Sequence, residues 1–477
     1  MDSSLMTTER NQNPDSLHGP ERMPGQLSYC IFLMYFFSLC DCFLKFLPFS
    51  IATPMRYIPE ALLYLWAVVH VLRRGKLVSM PLFWPFLACV GTMAVSTFLN
   101  GISPTLMAQN LYTNFRMLAF AALLWGVQPS PSQLRRFFDH FLRLVAIEAV
   151  IGLCQLVFGG SAKSFFAPNL DWSSSSVSLP LELHEADAGY LLGTLSNYNH
   201  YGMFMSMGLL ISLLMYSQTN RKGYQWMAIV SGLCALLSFS RHTLILMAIV
   251  FVVNMLWNLR PGAVFVYVKR ASALLLLTCI VFAASKPLQE VFAQRFRSLA
   301  QAEVLNGDPQ QNIRMFMIVY LVPRILASTP VIGQGPLEWP RGAGGSSVAS
   351  LGPQLKAAPQ LPGWVTHYLN DVVWIAFFSA YGLLGLLGLC ILYGTIYHHA
   401  LRLNEIFLDP EYIALARFVM GSMCLFALAG FFSQEVVARD TVPVLWCSAG
   451  MMLSLYSVAS GKRLEQSPIS LSTRSSS

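Results

Sequence analysis

Residues 225–259 read QWMAIVSGLCALLSFSRHTLILMAIVFVVNMLWNL. Two apolar runs, 225–240 and 242–259, meet at Arg241 inside the short stretch SFSRHT. Each run is about 16 to 18 residues, close to what an α-helix needs to cross a hydrocarbon core about 30 Å thick. The pair reads as a helical hairpin in a bilayer, with Arg241 at a tight turn. A charge there either snorkels to the interface or faces an external cavity.

The rest of the chain extends that reading. Of 477 residues, 55% are hydrophobic and only 11% charged, whereas a soluble domain carries about 25% charged residues. A soluble enzyme, a disordered chain and a nucleic-acid-binding module are therefore excluded. Further apolar runs fall near 27–46, 57–72, 81–98, 107–127, 138–158, 196–216, 271–285, 368–393, 412–432 and 441–459. With the hairpin they make about twelve spans, each registering in a window of about 19 residues. The expected fold is an all-α polytopic membrane protein of about twelve transmembrane helices.

Loop charge sets the direction. Arg73, Arg74 and Lys76 follow the second predicted span, Arg135 and Arg136 the fourth, and Arg221 and Lys222 the sixth. Arg260, Lys269 and Arg270 follow the eighth, Arg402 the tenth, and Lys462 and Arg463 the twelfth. Basic loops stay in the cytoplasm, so both termini are expected inside. The segment 315–327, MFMIVYLVPRILA, is apolar but interrupted by Pro323 and Arg324. It reads as an interfacial helix on the outer surface, since a span there would turn His398, His399 and Arg402 outward.

The expected organisation is a cytoplasmic tail at 1–26, spans one to nine across 27–285, and a large outer loop at 286–367. Spans ten to twelve follow across 368–459, then a Ser-rich, disordered cytoplasmic tail at 460–477. A second long outer loop covers 159–192. The ten cysteines lie in or beside apolar runs, as buried thiols do, rather than paired in loops as a disulfide framework would be.

Charge within or against the bilayer is where chemistry is expected. Arg116 lies well inside the fourth span, after Asn110 and Asn114; it is a functional candidate or the partner of a buried Glu148 or Glu60. The long outer loop is rich in arginine, including Arg314, as a surface for a phosphorylated lipid head group would be. His367 stands at the outer mouth of the tenth span, where an imidazole can take a proton near neutral pH. No metal-ligand spacing and no phosphate-binding Gly-Lys loop is present.

Four stretches carry a resemblance. Gly193-Thr-Leu-Ser-Asn197-Tyr-Asn199-His200 is similar to a Gly-x-x-x-Asn-Pro-Asn-His opening of a span, with Tyr198 in place of the proline. Ser240-Arg241 matches a Ser-Arg at the outer end of a hairpin. Arg314 followed by PVIGQGPLEWP from Pro330 matches an Arg-headed segment ending in Pro-x-x-Gly-x-Gly. His367, then YLNDVVWIAFFSAYGLLG, matches a His-Asn motif leading into a Gly-rich span, with Tyr368 in place of the asparagine. In this order and on these sides, over about 190–390, they resemble the O-antigen ligase and polysaccharide polymerase family.

The resemblance implies a bacterial inner-membrane glycosyltransferase acting on the periplasmic side. Its donor is a glycan on undecaprenyl diphosphate, and its acceptor is a sugar hydroxyl on a lipid-linked glycan or on the lipid A core. On that reading Arg241 and Arg314 hold the diphosphate, and His367 is the base toward the acceptor, with Asp371 as the alternative. Arg116, Asn199, His200 and Asp371 are the expected substrate-binding residues. No metal or other cofactor is implied, and the partners are the two glycans and the bilayer, not nucleic acid. The altered His-Tyr pair favours polymerase over ligase. A multi-span transporter or flippase and a non-catalytic envelope scaffold are the competing readings.

Overall fold

The computed structural model describes residues 22–44, 46–74, 79–166, 191–195, 198–238, 240–257, 289, 322–336, 373–431 and 441–466. Every regular element among them is helical. In chain order these are α1 (Gly25–Tyr35), a π-helical turn (Phe36–Cys40), α2 (Asp41–Leu44), α3 (Phe49–Arg74) and α4 (Phe83–Leu99). Next come α5 (Pro104–Phe115), α6 (Leu118–Leu124), α7 (Pro131–Phe158), α8 (Gly160–Phe166), α9 (Tyr198–Thr219), α10 (Lys222–Leu237) and α11 (Arg241–Trp257). The last are α12 (Val322–Ser328), α13 (Val373–Ile406), α14 (Pro410–Ala429) and α15 (Pro443–Gln466).

Each predicted span overlaps helix over its described residues, except 271–285, which lies outside them. Among the described residues, α7, α13, α14 and Pro443–Ser460 of α15 are long and apolar enough to cross a membrane. Gly25–Cys40, α4 and His242–Trp257 are shorter apolar helices. The protein is thus a helical membrane protein.

Local chemistry sets the helix ends. Ser130 caps α7 in a capping box with Gln133, and Pro131 occupies the first helical position, where its missing N–H costs nothing. Ser103 caps α5 by accepting from the Thr105 N–H, again with a proline, Pro104, at the first helical position. Asn220, in the left-handed region at φ 52°, stops α9.

Two expectations need correction. The run 107–127 is not one helix: it breaks between α5 and α6 at Arg116 and Met117, because a hydropathy window averages over a local interruption. The run 368–393 corresponds to a helix that continues to Ile406 and is broken internally at Gly382, where φ is 65° and ψ −163°. Pro323 and Arg324 of the 315–327 segment lie in α12 (Val322–Ser328). Residues 315–321 of that segment lie outside the described residues. None of the described cysteines is in a disulfide.

The bundle is built around α9, which is buried on every side from Tyr201 through Met215, as expected of a helix apolar all round. Small residues let neighbours approach it closely. A Cβ at Gly208 would lie 2.7 Å from Val145 of α7, and one at Gly202 would strike the Thr243 hydroxyl of α11.

The helices define two ends. At one end the Arg135 guanidinium pairs with Glu411, the Tyr224 hydroxyl donates to Asp139 (2.7 Å), and the Tyr412 hydroxyl donates to the Pro129 carbonyl (3.1 Å). The starts of α7, α10 and α14 meet there. Helix α7 then carries Gln155 about 24 Å further along the axis from Asp139. At that other end the C-terminal part of α7 meets the starts of α9 and α11, and Trp374 near the start of α13 donates to the Ala427 carbonyl of α14 (2.7 Å).

Candidate functional site

The end of the bundle far from Arg135 and Glu411 holds the described motif residues, and it is built from non-helical backbone gripped by buried polar side chains. The first grip is on the turn 191–195. Gln155, fully buried on α7, accepts from the backbone N–H of Leu192 (3.0 Å) and Gly193 (2.9 Å) and donates to the Gly193 carbonyl (2.6 Å). Glu148, two turns earlier on the same face and also fully buried, accepts from the Thr194 backbone N–H (2.8 Å) and contacts the Thr194 hydroxyl. That hydroxyl also reaches the Ser38 carbonyl in the π-helical turn. Gly193 has φ +61°, and a Cβ there would collide with the Glu148 carboxylate and the Tyr201 ring. Glycine opens this motif because only glycine fits the turn.

The turn leads into α9, whose first residues include Asn199 and His200, both half-buried. The contact between Gly202 and Thr243 sets this helix start beside that of α11, whose first residue is Arg241. Ser240, immediately before it, hydrogen-bonds His242 Nδ1 (2.8 Å), and both are buried. The structure thus brings Asn199 and His200 to the same corner as the Arg241 backbone.

The second grip joins two motifs far apart in sequence. Residues 330–335 (PVIGQG) lie across the break in α13 through four backbone hydrogen bonds. The Gln334 and Gly335 N–H groups donate to the Ser379 and Ala380 carbonyls (2.9 and 2.8 Å), and the Leu383 and Leu384 N–H groups donate to Pro330 and Val331 (2.9 and 3.1 Å). Around the break these bonds stand in for missing helical ones, which apolar surroundings require. Gly333 has φ +67°, and its Cβ would lie 2.5 Å from the Ala380 carbonyl oxygen and from the Gly382 nitrogen. From α4, Ser96 donates to the Ala380 carbonyl (2.8 Å) and Asn100 to the Gly333 carbonyl (3.2 Å).

Arg116 sits apart from these two grips, at the α5–α6 break. Its guanidinium lies 5.8 Å from the Tyr112 ring centroid and within hydrogen-bonding reach of the Tyr112 hydroxyl. That hydroxyl donates to Glu60 Oε1 (2.8 Å), as does the Tyr64 hydroxyl (2.6 Å). Of the two carboxylates named as partners for Arg116, Glu60 is therefore linked to it through Tyr112, while Glu148 serves the 191–195 turn. Phe115, next to Arg116, packs on Phe377 (6.5 Å between centroids), which packs on Tyr381 (4.8 Å) beside the α13 break.

His367, Arg314 and Asp371 lie outside the described residues, as does most of the loop 286–367. Sequence reasoning missed the clamp roles of Glu148 and Gln155, although a Glu and a Gln seven residues apart on one face of an apolar helix was the available signal. It also missed the aromatic-lined cavity of about 500 Å³ between α13 and α14, bordered by Trp374, Phe378, Tyr393, Phe426 and Phe431. Among the described residues no three His, Cys, Asp or Glu side chains gather as a metal site would need. No known protein family and no curated protein matches the chain.

Proposed function

We propose that this protein is a glycosyltransferase of the O-antigen ligase and polysaccharide polymerase type, in the bacterial inner membrane. On this reading about twelve spans place both termini in the cytoplasm. The enzyme transfers a glycan from undecaprenyl diphosphate to a sugar hydroxyl on the periplasmic side, for O-antigen or exopolysaccharide synthesis. The observation that supports it most is the gathering of three separate motif stretches, 193–200, 240–241 and 330–335, at the end of the bundle opposite the Arg135–Glu411 pair.

The chemistry suits the residue types. Breaking the bond between the anomeric carbon and the diphosphate oxygen leaves negative charge on the departing diphosphate. Arginine guanidinium groups stabilise that charge with planar, paired donors, the role given to Arg241 and Arg314. The acceptor hydroxyl loses its proton to a base within hydrogen-bond reach, His367 or, with Tyr368 in place of asparagine, Asp371. Attack from the face opposite the diphosphate inverts the anomeric centre. The step requires neither metal nor nucleotide. Asn199 and His200, beside Arg241, and Arg116 are the further substrate contacts.

Polymerase is favoured over ligase by the altered motif at His367 and Tyr368. A transporter is the second reading, and the two helix breaks, at Arg116 and Gly382, favour it, since carriers build sites from discontinuous helices. Purified Arg241→Ala and Arg314→Ala variants, given undecaprenyl-diphosphate-linked glycan, separate the two. The transferase reading expects joining to fall by at least about a hundredfold, the scale for losing one charge-stabilising donor. Unchanged joining removes these residues from the site, and lipid-linked glycan flux without joining supports the carrier.

A further inference from the structure

Glu60 is 1% exposed, and its two oxygens are in unequal states. Oε1 accepts from the Tyr64 and Tyr112 hydroxyls, whereas Oε2 is buried with no hydrogen-bond partner among the described residues. A buried carboxylate oxygen without a donor is costly enough that such atoms are rare and call for a cause. The surroundings say which donor would fit. The Arg116 guanidinium is already within reach of the Tyr112 hydroxyl, and Arg56, whose guanidinium lies over the Tyr57 ring (5.9 Å), precedes Glu60 by one helical turn in α3. Those positive charges disfavour a metal cation or an ammonium group at Oε2. A neutral hydroxyl is the donor that remains.

The cluster also has an open side. Tyr112 is 41% exposed, so its ring borders the buried acceptor on one side and is open on the other, with the Arg116 guanidinium beside it. Hydroxyl acceptors, hydroxyl donors and an aromatic face together match a sugar ring, whose hydroxyls hydrogen-bond while its C–H face lies on the ring. The contact of Phe115 with Phe377 places the cluster beside the break in α13. We infer that Glu60, Tyr64, Tyr112 and Arg116 form a carbohydrate subsite that takes a sugar of the membrane-anchored glycan through its hydroxyls. This rests on the proposed glycan-transfer reading and adds a binding place to it.

The test uses full-length protein in lipid nanodiscs and native mass spectrometry with two probes. One is undecaprenyl-diphosphate-linked glycan isolated from the host lacking this protein; the other is undecaprenyl diphosphate without glycan. Wild-type protein is expected to prefer the glycan-linked lipid by about tenfold or more, the scale of a hydrogen bond to a charged group. Glu60→Gln keeps the volume but puts a donor amide in place of an acceptor; it should abolish the preference and leave affinity for the glycan-free lipid unchanged. Tyr112→Phe, which removes one hydroxyl and keeps the ring, should weaken the preference about threefold and covers the case in which Glu60→Gln fails to fold. Wild-type preference retained in whichever of these variants folds overturns the subsite alone, leaving a bound water as the occupant of Oε2. Wild-type protein that binds both lipids equally also overturns the subsite alone. Wild-type protein that binds neither overturns the transfer reading and the subsite together.

Discussion

The two ends of the bundle are held by different chemistry. At the Arg135 end, charged and tyrosyl side chains tie helix to helix, guanidinium to Glu411 and the Tyr224 hydroxyl to Asp139, with the Tyr412 hydroxyl on the Pro129 carbonyl and regular helices capped by Ser130 and started by proline. At the opposite end, buried side chains mainly hold non-helical backbone. Gln155 and Glu148 hold the turn at 192–194, while Ser96 and Asn100 hold the crossing of 330–335 over Gly382. The first arrangement ties helices together and can be rebuilt by water if broken. The second fixes irregular backbone, which stays in an apolar setting only when its donors and acceptors are all met. Irregular, tightly held backbone is what a binding site needs and a plain helix junction does not.

That contrast is broken most severely at Gly333. Alanine there combines a left-handed φ with a Cβ 2.5 Å from two backbone atoms. The φ penalty alone is about 1–2 kcal/mol, and neither neighbour can swing away. Gly333→Ala is expected to lower the midpoint of thermal unfolding in detergent by several degrees and to abolish glycan joining; a variant with wild-type midpoint and product would show that the crossing is not rigid.

Glu148→Ala comes next. It leaves the Thr194 N–H without its acceptor in a fully buried place, a loss of about 1–3 kcal/mol. It should also release the start of α9 and with it Asn199 and His200. Joining should fall more than the amount of folded protein, as read by product per folded molecule. Equal falls in both would make Glu148 purely structural.

The smallest effect is expected at the other end. Glu411→Ala removes a carboxylate that is only 6% exposed but leaves Arg135, 33% exposed, free to return to water, so no buried group is left unpaired and the cost should be smaller than at Glu148. Joining per folded molecule should be unchanged. A larger loss of joining than at Glu148 would erase the distinction between the two ends.

Apolar run length made most helices legible, because burial of backbone in lipid leaves little choice but helix. The start of α11 at Arg241 followed from two apolar runs meeting without a linker. The breaks at Arg116 and Gly382 were not legible in the same way. Hydropathy reports length and composition, and both breaks keep an apolar average on either side. The Gly382 break is stabilised by carbonyls and N–H groups of residues 330–335, about 50 positions away, so no local pattern could announce it. The motif PVIGQG was visible as a motif, but its role as the partner of that break was not. Glu60 was visible only as a candidate partner of Arg116; the unequal states of its two oxygens depend on Tyr64 and Tyr112 from two different helices.

The most direct test of glycan transfer is the size distribution of surface glycan, resolved on a gel, from host cells carrying the wild-type gene, a deletion and His367→Ala. The deletion is expected to leave lipid A with at most one repeat, the polymerase outcome, and His367→Ala to reproduce it. Long lipid-linked chains left unattached to the core would make the enzyme a ligase. A wild-type ladder from His367→Ala alone would move the base to Asp371, and a wild-type ladder from the deletion itself would contradict glycan transfer altogether.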